Sequence, residues 1–436
     1  MKLLRLLLCS LLSALLVLPV SASEDLRARV ESGATAMEKK VIAWRRDIHA
    51  HPELGNRETR TAALVAKHLK SLGLEVTTGV AHTGVVGILR GGKPGPVVAL
   101  RADMDALPVT EPEGLPFASK VRTTFNDQET GVMHACGHDA HVAILMGTAE
   151  ILAGMRADLP GTIKFIFQPA EEGAPRGEQG GAELMVQEGV LEGEVTPTAI
   201  FALHVWPETP GHIFVRPEGM MAASDRLRII VHGRQSHGSQ PWSGVDPITV
   251  AGQITTALQT IVSRQVDLTR APVVISIGSI HGGIRHNIIP DTVTMEGTLR
   301  TFDVTMQQDI WQRIKTTAEH VALSAGATAE VEIDPHAPVV RNDPALLERV
   351  MPALQWAAGK DAVESLAPVT GGEDFAFYAN RIPAVFVFLG INKPGVTRKD
   401  AASNHSPLFY INEAALITGV RTLGALAVDY LSRDSE

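Results

Sequence analysis

The chain has 436 residues, 45% hydrophobic and 20% charged, with a formal net charge of -9. That length exceeds the ~250 to 300 residues at which single cores stop growing, so two domains are expected. Mild acidity argues against a nucleic-acid partner, and two cysteines, Cys9 and Cys136, are too few for a disulfide scaffold.

The first residues, MKLLRLLLCSLLSALLVLPVSAS, combine a basic start (Lys2, Arg5), an apolar run from Leu6 to Val20 and small residues at Val20-Ser21-Ala22. These features predict a secretory signal peptide, residues 1–22, cleaved near Ala22 to leave a periplasmic or secreted protein. Cys9 would be discarded with it, leaving Cys136 without an internal partner. No later stretch reads as long and apolar enough to cross a membrane, so no membrane association is expected after cleavage.

Thr59 to Leu72 (TRTAALVAKHLKSL) places Val65, Leu69 and Leu72 on one helical face, and Gly73 supplies a left-handed stop. An alternation follows: strand VVALR (97–101), a helix from about Ala140 to Met155, then strands TIKFIFQ (162–168) and AIFALHVW (199–206). Near-continuous apolar strands interleaved with helices predict an α/β domain with a largely parallel sheet covered by helices. From about Ser224 the order becomes β-α-β-β-α-β, with Asp246-Pro247 opening a helix to about Arg264 and a second helix over Met306 to Ser324. That order predicts a ferredoxin-like module. Then come a helix over Pro344 to Ala358, a buried strand PAVFVFLG (383–390) and a closing helix from Asn412 to Leu431. The reading is one α/β domain in two pieces, 23–222 and 336–436, interrupted by a small α/β module, 223–335.

Ligands of open α/β sheets bind beyond the carboxyl ends of the strands. There VVALR runs into Asp103 and Asp105, TIKFIFQ into Glu171 and Glu172, AIFAL into His204, and PAVFVFLG into a loop with His405. Cys136 and His138 stand before a helix whose dipole favours a thiolate. Any one of these has an ordinary explanation: a structural histidine, a solvated glutamate pair, a buried thiol. Together they form the thiolate, imidazole and carboxylate mixture that suits zinc or a related divalent transition metal. Cys136-Gly137-His138 lacks zinc-finger spacing, so an open catalytic site is expected. If Glu171 and Glu172 lie in extended chain they point to opposite sides, leaving one to ligate and the other free as general base.

The stretches WRRDIHAHPELGNRETRTA, RADMDALP, HACGHDAH, QPAEEG, LHVW, HNIIPD, GTLRTF, GGEDFAFY and NHSP resemble, in order and spacing, the aminoacylase and carboxypeptidase family of dinuclear metallohydrolases. The nearest branch contains hippurate hydrolases, N-acyl-L-amino-acid amidohydrolases and auxin-amino-acid hydrolases, and the likeness runs from about Val41 to the closing helix. The resemblance implies that Cys136 bridges two divalent metal ions, zinc or manganese with cobalt or nickel as alternatives. His138, Glu172, His204 and His405 would complete their coordination. It implies that Glu171 deprotonates the bridging water and returns the proton to the leaving amine. Asp105 takes the place of an aspartate that orients a histidine ligand, and Asp103 stands where the wider family has a histidine. The inserted module resembles a lid that also forms a homodimer. His237 matches a lid histidine that reaches a neighbouring subunit's active site, and Asn287 and Arg300 match positions that grip a substrate carboxylate. Gly238-Ser239-Gln240 and Trp242 depart from the smaller residues expected there, which puts substrate preference in doubt. His49, His51 and Glu53 read as structural, and His134, His141, Asp139 and Glu373 as supports of the ligands.

The expected activity is hydrolysis of the amide of N-acyl or N-aroyl amino acids, short dipeptides included. Two other readings compete: a thiol hydrolase with Cys136 as nucleophile, and an exported solute-binding protein with a structural metal.

Overall fold

The computed structural model describes residues 22–433. Residues 1–21 of the expected leader, Cys9 among them, lie outside the described residues. The first described element is a helix, Ala22–Ala50, that the sequence reading did not anticipate. Among many polar residues it carries a buried stripe at Leu26, Val30, Ala34, Met37, Val41 and Ile48, with Ile42 and Trp44 packed beside the core. A stripe at spacings of three and four is what one core-facing helical face needs.

The central sheet has eight strands in the order Glu75–Val80, Gly84–Arg90, Pro160–Gln168, Lys93–Asp103, Ala199–Trp206, Ala384–Gly390, Ile213–Val215 and Val363–Ser365. Its middle is parallel, from Pro160–Gln168 through Lys93–Asp103 and Ala199–Trp206 to Ala384–Gly390. The unanticipated hairpin Glu75–Arg90 adds the antiparallel edge. Side chains alternate between two apolar layers. Val98, Leu100, Phe201, Leu203, Val385 and Val387 face the core formed with Ala22–Ala50 and the helices His138–Gly154, Pro344–Ala358 and Leu416–Arg433. Ala99, Ile200, Ala202, Phe386 and Phe388 face the opposite core. Burial on both faces explains why these strands read as continuous apolar runs rather than alternating ones.

The closing helix corrects an expectation. Glu413–Ser432 is long and apolar enough to cross a membrane, but 83% of its apolar window is buried inside the protein. Its composition is that of a core helix.

A second, antiparallel sheet runs Val273–His281, Thr292–Thr301, Ala223–His232, Thr328–Ala337. In chain order that is 2-3-1-4, the ferredoxin-like arrangement. Helices Pro247–Thr260 and Val304–Ser324 cover one face only, packing on Leu227, Ile229, Val231 and Met295. The Asp246 carboxylate caps the first of them by accepting from the Ile248 and Thr249 N–H groups. That helix ends at Thr260 in a single wider turn, Ile261–Gln265.

Candidate metal centre and active site

The predicted residues meet beyond the carboxyl ends of the parallel strands. Cys136 precedes a helix that starts at His138 itself, with Gly137 between them in the left-handed region at φ 99. A Cβ at Gly137 would also lie 2.2 Å from Val205 Cγ2, so two independent constraints demand glycine. The donor atoms of Cys136, His138 and His204 lie within 4.8 Å of one another, and so do those of Cys136, Glu172 and His405. The two groups share one sulfur, which is what a bridging ligand requires.

Hydrogen bonds turn the lone pairs inward. His138 Nδ1 donates to Asp105 Oδ1 at 3.2 Å, which leaves its buried Nε2 as an acceptor with no protein partner. His204 Nδ1 donates to the Val205 carbonyl at 2.7 Å, leaving Nε2 directed at Cys136 Sγ, 3.4 Å away. His405 Nε2 is 3.0 Å from Glu172 Oε1. A sulfur, three imidazoles and a carboxylate converging with an orphaned nitrogen among them fit a pair of borderline divalent cations.

The electrostatics point the same way. Burial, with Glu172 and Glu171 nearby, pushes the Cys136 thiol well up. The helix start was expected to favour a thiolate, but burial and two carboxylates outweigh that effect, so the thiolate form calls for a compensating cation. Burial would lower His138, but Asp103, Asp105 and Glu172 outweigh it and raise the metal-free ring to about 10, so a bound cation would take the place of the proton on Nε2. His204 is held well below its ordinary value by burial and by His141, the neutral state that a ligand needs. Burial, then Glu373 and Glu172, push Glu171 well up.

The two glutamates are not in extended chain, and the opposite-faces argument fails. Ala170 adopts φ 50 and starts a turn. Glu171 Oε2 and Glu172 Oε1 both approach His138 Nε2, at 3.8 and 3.9 Å. Remote carboxylates impose this turn: Glu58 accepts from Ala170 N–H at 2.8 Å, and Asp105 from the N–H groups of Glu171 and Glu172 at 3.1 and 2.9 Å. Asp105 thus orients a ligand and shapes the turn together. Asp103 stands 3.8 Å from His138 Nδ1, beyond hydrogen-bond distance. It accepts from His141 Nδ1 at 2.6 Å, and His141 Nε2 in turn accepts from Val205 N–H at 2.8 Å, fixing the strand beside His204.

Sequence reasoning missed Glu58, Arg101, Asp374 and Asn404. The Arg101 guanidinium is fully buried and donates to Gln168, Asp103, Glu373 and Asp374 at 2.7 to 3.0 Å. It pairs with the carboxylates behind Glu171 and offsets part of their charge. An arginine inside an apolar strand was the available signal, because a buried charge must be paired. Asn404 donates to the Cys136 carbonyl at 3.2 Å, and His405 N–H to the Ala135 carbonyl at 2.8 Å, tying the ligand loop down. His405 sits at φ 68, a strained conformation for a non-glycine residue at a functional site. His49 and Asp139 bond each other at 2.8 Å and belong to a buried ion-pair cluster with Arg45 and Glu111.

Above the centre lies a cavity of about 420 Å³ lined by Cys136, Glu171, Glu172, His204, His405 and, from the lid, Arg300. His237 and Asn287 are not among its lining residues. They lie together elsewhere on the lid, where Gly238 N–H donates to the Asn287 carbonyl and His237 is exposed. Within one chain, only Arg300 of the three reaches the site.

The family model for Peptidase family M20/M25/M40 matches residues 99–429. A thermostable carboxypeptidase of Saccharolobus solfataricus is 38% identical over 94% of this chain and 100% of its own length. An N-acetylcysteine deacetylase of Bacillus subtilis is 39% identical over 90% of this chain and 97% of its own. The crystal structure of a Bacillus subtilis dinuclear metal-binding peptidase of family M20 superposes with a TM-score of 0.75 at 37% identity, covering 91% of this chain and 99% of that one.

Proposed function

The chain belongs to Peptidase family M20/M25/M40 and is a hydrolase of amide bonds; from that premise we propose that it cleaves the amide of N-acyl or N-aroyl amino acids, short dipeptides included, at a two-metal centre. The observation that carries this reading is the pair of donor groups sharing the Cys136 sulfur, with a further buried carboxylate, Glu171, beside them. Cys136, His138, Glu172, His204 and His405 would hold the ions, zinc or manganese first and cobalt or nickel as alternatives. When bound, the ions supply Lewis acidity for the amide carbonyl and for water.

The remaining work falls to the chain. Glu171 is the base: it takes a proton from the attacking water, holds it where burial and neighbouring carboxylates favour the protonated acid, and delivers it to the leaving nitrogen. Arg101 keeps Glu373 and Asp374 paired at its back, so Glu171 remains the carboxylate free to exchange protons. Arg300 grips the substrate carboxylate with its fork. A homodimer formed through the lid would supply a second copy's His237 and Asn287, which the single chain leaves outside the cavity. The leader supports a periplasmic or secreted location.

A thiol hydrolase is disfavoured. Cys136 and His204 are close, but the thiol is pushed up and the imidazole down, opposite to a thiolate-imidazolium pair. Chelation followed by metal addition, tested with N-acetyl, N-benzoyl and dipeptide substrates, decides the matter. Loss and recovery of amino-acid release is expected; release indifferent to chelation but abolished by alkylation would overturn the reading.

A further inference from the structure

The uncovered face of the lid sheet looks onto the catalytic domain. On the strand Ala223–His232, Leu227, Ile229 and Val231 pack under the lid helices, so the alternating residues Ser224 and Arg226 project from the other face. Arg300 pairs opposite Ser224 on the neighbouring strand, while its neighbour Leu299 turns into the core. Arg226 pairs opposite Thr298, which makes Arg226 and Arg300 diagonal neighbours on one surface, their Cβ atoms roughly 7–8 Å apart. Both line, with His336, a cavity of about 710 Å³ that shares Glu171 and Glu172 with the cavity over the metal centre.

Two cations so placed repel one another unless something negative lies between them. Among the described residues, neither guanidinium has an ion pair or a side-chain hydrogen bond, whereas Arg228, one step along the same face, is paired with Glu332 at 3.0 Å. The nearby acids do not fill the gap. Asp225 sits on the helix side of the sheet, held by Gln307 and Trp311, while Asp334 opposite Arg226 and Glu183 across the cavity form no ion pair with either arginine. Gripping one carboxylate needs one arginine. Arg176 also lines the cavity, but from an exposed loop of the catalytic domain; a second unpaired arginine on the same sheet face as Arg300 calls for a second anionic group on the same ligand.

We propose that Arg226, with His336 beside it, forms a subsite for a second carboxylate, so that the preferred substrates are N-acyl derivatives of acidic amino acids. The inference rests on the hydrolase reading and deepens it: Arg300 takes the α-carboxylate, and Arg226 takes the side-chain carboxylate through charge-assisted hydrogen bonds.

The test compares N-acetyl-glutamate with its neutral isostere N-acetyl-glutamine, and with N-acetyl-leucine, on the metal-loaded full-length enzyme. The expected result is a kcat/KM preference for the glutamate derivative over the glutamine one. Arg226→Gln should lower that ratio about tenfold, the cost of losing one charge-assisted contact. Arg226→Lys should retain part of it, as a point charge without the fork, and Arg228→Gln should leave the ratio as in the parent enzyme. Cleavage of N-acetyl-leucine with no preference for glutamate over glutamine, or a ratio unmoved in Arg226→Gln, overturns the subsite alone. Failure of the parent enzyme to cleave any of the three overturns the hydrolase reading, and the subsite with it.

Discussion

The floor of the cleft and its lid are built by different rules. On the floor, Asp103, Asp105, His138, His141 and Arg101 are almost wholly buried, and each is fixed by a partner from a distant part of the chain. On the lid, Arg226 is exposed and Arg300 half-buried, and among the described residues neither has an ion-pair partner. A preorganised floor suits chemistry, which needs donors held still before substrate arrives. Two unpaired arginines suit recognition, because such charges gain a partner only when the ligand brings one.

That contrast can be broken at either side, and the largest effect belongs to the floor. Glu171→Gln should lower kcat about a thousandfold, the middle of the range for a general acid-base group, while metal content by elemental analysis stays at the parent level. Equal loss of metal and activity would instead make Glu171 a ligand. Next, Asp105→Ala removes both the orienting bond to His138 and the anchor of the Glu171-Glu172 turn. Metal affinity, measured by competition with a chromophoric chelator, should fall roughly ten- to hundredfold. On the lid, Arg300→Met should raise KM about tenfold with kcat largely kept, since it removes a grip on the substrate rather than on the reacting atoms. Were kcat to fall as far as in Glu171→Gln, the division between floor and lid would fail.

The smallest expected effect is on stability. Burial, and then Asp105, raise Glu58 from 4.5 to about 7. A carboxyl raised on folding favours the folded state while protonated, so its contribution is present below about pH 4.5 and is lost as pH rises through about 7. The urea midpoint of the metal-free protein should therefore drift down across that window, and Glu58→Gln should flatten the drift.

The same contrast governs what could be read from sequence. The candidate site residues of the floor were legible because strand ends and the helix start are local features: Asp105, Glu172 and His204 follow apolar runs, and Cys136 stands just before a helix. The turn that presents the glutamates was not, because Ala170 owes its left-handed conformation to carboxylates at positions 58 and 105. Arg101 was read as ordinary strand, although its place in a buried run already required partners. The helix Ala22–Ala50 escaped notice because its polar composition hides a thin apolar stripe. On the lid, the strands were legible but Arg226 was not singled out, because its meeting with Arg300 over Glu171 depends on how the two domains close the cavity, which no local pattern encodes.

The central claim is a hydrolytic centre of two cations bridged by Cys136. Its most direct test is titration of the chelator-stripped protein with zinc or manganese, following bound metal, Cys136 alkylation and release of amino acid from an N-acyl substrate together. The account predicts two equivalents bound, with activity appearing and the thiol becoming protected as they bind. Activity already present in the stripped protein, or a thiol equally reactive with and without metal, would contradict it.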